Sequence, residues 1–218
     1  MDSVIRYFQL GGIQVMSSIL FVLIVSAIIV AERAYRYWLV YDLVNSSGFM
    51  ASVQKMVMNN SIENAIRFCK KARPKLLPAV LAEGLKRSND SPQEIENAVE
   101  FAVLSQVPKL NKNTGLLATT ANVATLLGLL GTIFGLMHSF AAVARATGAQ
   151  KQTLLAEGIA EALNATSFGL SVALFCLFAY GMLNAKMTAI NDDINKNAAR
   201  LVDLLYTRKM KLQSRSRG

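Results

Sequence analysis

An all-α membrane fold with three transmembrane helices is what this sequence predicts, and three observations predict it. Asn113 to Ala144 runs for 32 residues without an Asp, Glu, Lys or Arg. Two more charge-free runs, Tyr7 to Ala31 and Ala162 to Ala185, extend for 25 and 24 residues. No segment alternates with the two-residue period of a strand. A bilayer core of about 30 Å takes roughly 20 apolar residues of helix, so each run is long enough to span.

Residues 1–12 read as a short amphipathic lead-in, with Val4, Ile5, Phe8 and Leu10 beside Arg6 and a break at Gly11 and Gly12. The first span, 13–31, is read as a retained helix: it is long for a signal-peptide core, and Glu32, Arg33 and Arg36 follow it in place of a small-residue cleavage site. The helix is expected to continue through Leu43, with Tyr35, Trp38 and Tyr41 at the headgroup level where aromatics anchor.

The segment 32–115 is expected to be a cytoplasmic helical domain. Short helices are expected over 46–61, over 61–71 with Ile62, Ala65, Ile66 and Cys69 on one face, and over 76–85 after the bend at Pro74 and Pro78. Ser91, Pro92 and Glu94 then give a helix start, with proline at the first position and an acid in the first turn. Ile95, Ala98, Val99, Ala102 and Val103 form its apolar stripe, and the pattern leads, with a kink at Pro108, into the second span, 116–144. A connection (145–160), a third span (161–184) and a helix with a basic tail (185–218) complete the chain. Long helices are thus expected to extend into the cytoplasm.

Charge sets the orientation, because Lys and Arg are retained on the cytoplasmic side while acids count for little. Segment 32–115 carries 12 Lys and Arg against 8 Asp and Glu, and 184–218 carries 8 against 3. The N-terminus and the connection together hold only 3 bases. The N-terminus is therefore expected outside and the C-terminus in the cytoplasm. This topology accounts for the net charge of +9, so no nucleic-acid partner is inferred. The basic tail suits a lipid surface.

On a 100° projection the second span divides. Ala121, Ala124, Thr125, Gly128, Gly131, Thr132, Gly135 and Ser139 fall on one side, and Leu126, Leu127, Leu130, Ile133, Phe134, Met137 and Phe140 on the other. Small residues let membrane helices approach closely, and Gly131 and Gly135 are a GxxxG pair, so this face is expected to pack. Thr125, Thr132 and Ser139 either line a hydrated path or bond their own preceding carbonyls. The third span carries a small stripe of Ala162, Thr166, Gly169, Ala173 and Cys176. A polar stripe of Asn164, Ser167 and Ser171 lies about 120° away, which suggests two neighbours. Glu161 at its outer end is either an interfacial carboxylate favoured by the helix dipole or a proton-exchanging group.

Several classes find no support. Cys69 and Cys176 lack a CxxC partner or a nearby His, so neither metal nor disulfide is expected, and His138 is read as structural. There is no paired His/Asp set, Ser/His arrangement or phosphate loop, so no enzyme and no cofactor is expected. Apart from Glu161 at the outer end of the third, no Asp or Glu lies within a span, so a proton relay deep in the membrane requires a partner to supply the carboxylate.

The paired segments GLLGTIFGLMHSF and GIAEALNATSFGL resemble the signature of the ExbB/TolQ family, channel subunits of bacterial proton-driven motors related to MotA. The resemblance covers the whole chain. It implies that Thr132, Thr166 and Glu161 are pore or ion-pathway positions and that Gly128, Gly131 and Gly135 are close-packing glycines, with Gly169 in the corresponding stripe of the third span. It also implies a homopentameric ring in the bacterial inner membrane, closed around a dimer of a single-span ExbD/TolR-like protein that bears a membrane Asp, with a TonB/TolA-like protein as a further partner. The function expected is conversion of proton flow into mechanical work on the envelope: TonB-dependent uptake, Tol-Pal-type maintenance or gliding. His138 and Asn164 stand where the family varies. The alternative is a passive scaffold whose small-residue faces only hold helices together.

Overall fold

A computed structural model describes residues 12–43, 45–72, 74–148 and 150–216. The amphipathic lead-in expected over 1–12 lies, Gly12 apart, outside the described residues. Seven α-helices follow in order: α1 Ile13–Tyr35, α2 Ser46–Met58, α3 Ile62–Lys71, α4 Leu76–Lys86, α5 Pro92–Asn111, α6 Thr114–Arg145 and α7 Gln150–Ser216. The described residues contain no strand. Three helical stretches, within α1, α6 and α7, are long and apolar enough to cross a membrane. The chain divides into two compact units, one of α1 to Arg33 with Asn113–Leu183, the other of Ala34–Lys112 with α7 from Asn184 onward.

In the first unit the small residues of α6 are buried: Ala121, Ala124, Gly128, Gly131, Gly135 and Ser139. Ile19 of α1 and Val172, Ala173 and Cys176 of α7 join Ala121 and Ala124 in one apolar cluster. Leu127, expected on the bulky outward face, packs partly buried against this cluster. Leu126, Met137, Phe140, Leu174 and Phe178 remain exposed. Lipid is as apolar as these side chains, so the contact between helices rests on close packing and hydrogen bonds rather than on exclusion of water.

The second unit has the side-chain chemistry of a water-soluble core. Val53, Val57, Ala65, Cys69, Leu81, Leu85, Leu201 and Leu205 are fully buried. A methyl group built on Gly84 of α4 would lie 2.5 Å from Val99 of α5 and 2.8 Å from Leu201 of α7, so three helices meet at that glycine. Phe49 of α2 stacks on Phe68 of α3 with ring centroids 4.7 Å apart. The Cys69 thiol, enclosed here, has its pKa pushed from 9.0 up to about 12 by burial.

Local chemistry sets the helix ends. At α5, Ser91 Oγ accepts from the Glu94 N–H at 3.3 Å while the Ser91 N–H donates to Glu94 Oε2 at 2.8 Å, a reciprocal capping box. The Ser91 hydroxyl, and then its backbone N–H, hold the Glu94 carboxyl below the usual carboxylate range. The far end departs from expectation, because α5 does not run on into the second span. It stops at Asn111, and Asn113 takes the left-handed conformation at φ +61° before α6 begins. Pro108 has no N–H to continue the ladder, and Asn tolerates the left-handed turn. A second departure follows α1: Arg36–Tyr41 winds as a π-helix and ends at Asp42 in an extended conformation. The wider turn changes the phase of the aromatic residues. Tyr35 and Trp38 are exposed, but Tyr41 is buried and its hydroxyl accepts from Arg36 at 3.4 Å.

Candidate functional site

The candidate site is built on the α6–α7 contact of the first unit. A methyl on Gly128 would lie 3.3 Å from the Cα atoms of both Gly169 and Thr166, and one on Gly169 would lie 2.7 Å from the Ala124 carbonyl oxygen and 2.8 Å from the Gly128 Cα. These neighbours are backbone, which cannot rotate away as a side chain can. Farther along, Gly135 sits over Ala162, and Gly158 sits over Ser139. Gly131 is where α1 enters, since its methyl would meet Ala165 at 2.5 Å and Val15 at 2.9 Å. Gly128, Gly131, Gly135 and Gly169 are thus one continuous seam.

That close approach makes an interhelical hydrogen bond possible. The Thr166 hydroxyl on α7 donates to the Gly128 carbonyl on α6 at 3.0 Å. On α6 itself, the Thr132 hydroxyl donates to the Leu129 carbonyl at 2.6 Å. Gly128 and Leu129 are consecutive, so the two accepting carbonyls lie on the same turn of α6, about 100° apart around it. Each hydroxyl has a single proton, and here it is committed to a carbonyl. What remains on each oxygen is acceptor capacity. A carboxylic acid or a water that donates is matched by either oxygen, whereas an ionised carboxylate, which only accepts, is matched only when a hydroxyl turns away from its carbonyl.

The other sequence candidates lie elsewhere. Glu161 precedes Thr166 by five residues, about 7.5 Å along α7 and 140° around it. Its carboxylate lies over the start of α1, with Oε1 2.8 Å from where a Gly12 methyl would be, and Gly12 has a φ of +77°. A helix N-terminus favours negative charge there. Thr125 is exposed and bonds the Ala121 carbonyl of its own helix at 3.1 Å, whereas Ser139 is buried and donates to the Leu154 carbonyl at 3.3 Å. The heptad trio of hydroxyls therefore does not share one environment. His138, Ser167 and Ser171 are exposed, and Asn164 is half-buried.

Two features escaped the sequence reading. Arg33, in the charged cluster after the first span, is fully buried; among the described residues its one hydrogen bond reaches Glu32 at 3.5 Å, and its Nε and Nη1 have no partner. In the second unit, Lys186 forms an ion pair with Asp42 at 2.6 Å and lies 5.9 Å from the Trp38 ring centroid, while Lys75 donates to the Asp42 carbonyl at 2.6 Å. Periodicity reports which face of a helix is apolar. It carries no signal for a pair of residues 144 positions apart.

Comparison with known proteins places this chain in a family. The chain is 34% identical over 168 residues to a putative biopolymer transport protein, ExbB-like 3, of Synechocystis sp., a match that covers 77% of this chain and 78% of that protein. It is 39% identical over 116 residues to the Tol-Pal system protein TolQ of Haemophilus influenzae, covering 50% of each. It is 30% identical over 136 residues to the biopolymer transport protein ExbB of Pseudomonas putida, covering 62% of this chain and 39% of that one. The chain therefore aligns with about half or less of the TolQ and Pseudomonas ExbB relatives. The family model described as the MotA/TolQ/ExbB proton channel family matches residues 72–196, which contain α4, α5, α6 and the whole glycine seam. The chain belongs to the MotA/TolQ/ExbB proton channel family.

Proposed function

We propose that this chain is the channel subunit of a proton-driven motor of the inner membrane. The observation that carries the reading is that Thr132 and Thr166 both bond carbonyls on one turn of α6, in a chain whose spans hold no acid beyond Glu161 at the outer edge of the third. Five copies form a ring around two copies of a single-span ExbD/TolR-like partner, whose membrane Asp supplies the missing carboxylate. When protonated, that Asp donates to the threonine oxygens. When ionised it loses them and moves to the next subunit, and repetition around the ring turns proton flow into motion. A TonB/TolA-like protein receives the work. The relatives' names point to two loads, biopolymer transport and the Tol-Pal system.

The topology proposed is an external N-terminal segment (1–12), spans at 13–31, 116–144 and 161–184, a cytoplasmic domain at 32–115, an external connection at 145–160 and a cytoplasmic tail from 185. Glu161 then faces the proton source, at the mouth of the path. Gly128, Gly131, Gly135 and Gly169 hold the wall against which the partner helix moves.

The test is proton uptake into liposomes that hold this chain with its co-purified partner. Thr166→Val keeps the side-chain shape and removes the acceptor; flux is expected to fall about fivefold, the factor for about 1 kcal/mol from one hydrogen bond, while Thr166→Ser keeps it near the starting value. Unchanged flux in an intact Thr166→Val assembly makes the hydroxyl structural and removes its assigned role, whereas a wild-type assembly that passes no protons leaves the passive scaffold as the reading.

A further inference from the structure

Helix α5 presents two different grooves on opposite flanks, both lined only by residues of the second unit. At 100° per residue, Glu96, Glu100 and Val103 point to one side of its buried stripe, and Ala98, Phe101 and Ser105 to the other, about 180° away. The first groove, about 830 Å³, runs between α5 and α7 over an apolar floor of Ile95, Val99, Ala198 and Val202. Its rim holds three acids, Glu96, Glu100 and Asp203, against one base, Lys209. The three acids make no hydrogen bond or ion pair among the described residues, and Lys209 is already engaged with the Asp90 carbonyl at 2.8 Å. The second groove, about 1300 Å³, runs between α5, α4 and the π-helical segment, with four bases, Arg36, Lys86, Arg87 and Lys109, against Glu83 and Glu94. Of these two acids, Glu83 is paired with Lys86 at 2.7 Å and Glu94 closes the capping box, while among the bases Arg87 is paired with Asp90 at 3.2 Å.

Both flanks also leave large apolar side chains uncovered. Phe101 is 76% exposed beside the basic groove; Leu104 and Tyr206, at 60% and 49%, flank the acidic one. Each flank thus has an apolar centre and a charged rim, the composition of an interface waiting for a partner, and the two rims are opposite in sign.

We infer that the occupant of each groove is a second copy of this chain: the acidic α5–α7 flank of one copy docks on the basic α4–α5 flank of the next. Two identical flanks facing each other would set like charges together, so a two-fold contact is disfavoured. Unlike flanks give a head-to-tail contact, which builds a ring when the rotation closes. The inference adds a contact to the ring proposed above, and it rests on that reading only for the number of copies, not for proton transport.

The experiment is native mass spectrometry of the full chain in detergent at low salt, with helicity checked by circular dichroism. Glu96→Lys with Glu100→Lys makes both flanks basic, and Arg87→Glu with Lys109→Glu makes both acidic. Each pair is expected to lower the assembled fraction at least tenfold. All four substitutions together exchange the signs of the two flanks and are expected to restore assembly, a rescue that a folding defect does not produce. Overturning results are an unchanged ring in both pairwise variants, a four-substitution chain that stays helical but monomeric, or a Glu96→Lys, Glu100→Lys chain that still assembles and loses only a co-purified single-span protein. A wild-type ring that disperses on charge reversal yet conducts no protons leaves this inference standing and removes the motor reading.

Discussion

At Gly128 a single methyl group decides whether two helices can touch. Its neighbours are the Cα atoms of Gly169 and Thr166, and overpacking of this kind costs about 1–3 kcal/mol. Gly128→Ala is therefore expected to lower the melting temperature in detergent, whereas Gly181→Ala, with nothing within 4 Å, should leave it unchanged or slightly raised. Cys69 gives a prediction of another kind. Burial keeps its thiol protonated until about pH 12, while in the unfolded chain it ionises near 9.0. The unfolded state then binds fewer protons above pH 9, so stability falls as pH rises through the window from 9 to 12. Melting curves of the wild type and of Cys69→Ala, compared between pH 8 and 11, should converge as pH rises. The small-residue face of α6 was legible from side-chain size alone, because only small residues permit such an approach. The bonding of Thr132 was legible only as one of two alternatives, a hydrated path or a preceding carbonyl, and its hydroxyl donates to the Leu129 carbonyl of its own helix.

Helix boundaries follow the same division between local and distant causes. The start of α5 was readable because a capping box is contained in four consecutive residues. Ser91→Ala removes the acceptor for the Glu94 N–H and is expected to cost about 1 kcal/mol, measured as a shift of the unfolding midpoint. Glu94 adds a pH dependence of opposite sense to that of Cys69. Its carboxyl is held below the ordinary value of 4.5, so its contribution is present above that pH and disappears as the pH falls through the depressed value. The break at Lys112 and Asn113 was readable only as a kink at Pro108, and the π-helical winding of Arg36–Tyr41 was not readable. That segment makes contacts far along the chain: the Tyr37 hydroxyl donates to the Leu110 carbonyl at 2.6 Å, across 73 residues of sequence. A propensity scan sees six helix-compatible residues there and has no reason to widen the turn.

For the molecule as a whole, the number of apolar stretches and their lengths are visible in composition alone, and three helices meet them. The partition into two units is not, because α7 is one unbroken helix of 67 residues that contributes to both. Its apolar half buries small residues such as Ala165, Gly169 and Ala173, and its polar half buries Ile194, Leu201 and Leu205. The proposed topology predicts opposite labelling of two exposed positions. A cysteine replacing Gln152 in the connection should react with an impermeant maleimide on intact spheroplasts, and one replacing Gln93 in α5 only after the membrane is opened. The same result from both sides would reverse or abolish the assigned orientation. Such mapping normally begins by stripping the native thiols from a protein and showing that it still works. Here Cys69 and Cys176 are both buried, so the natural chain is already a silent background for site-directed probes, and every reporter can be read in the sequence that evolution supplied.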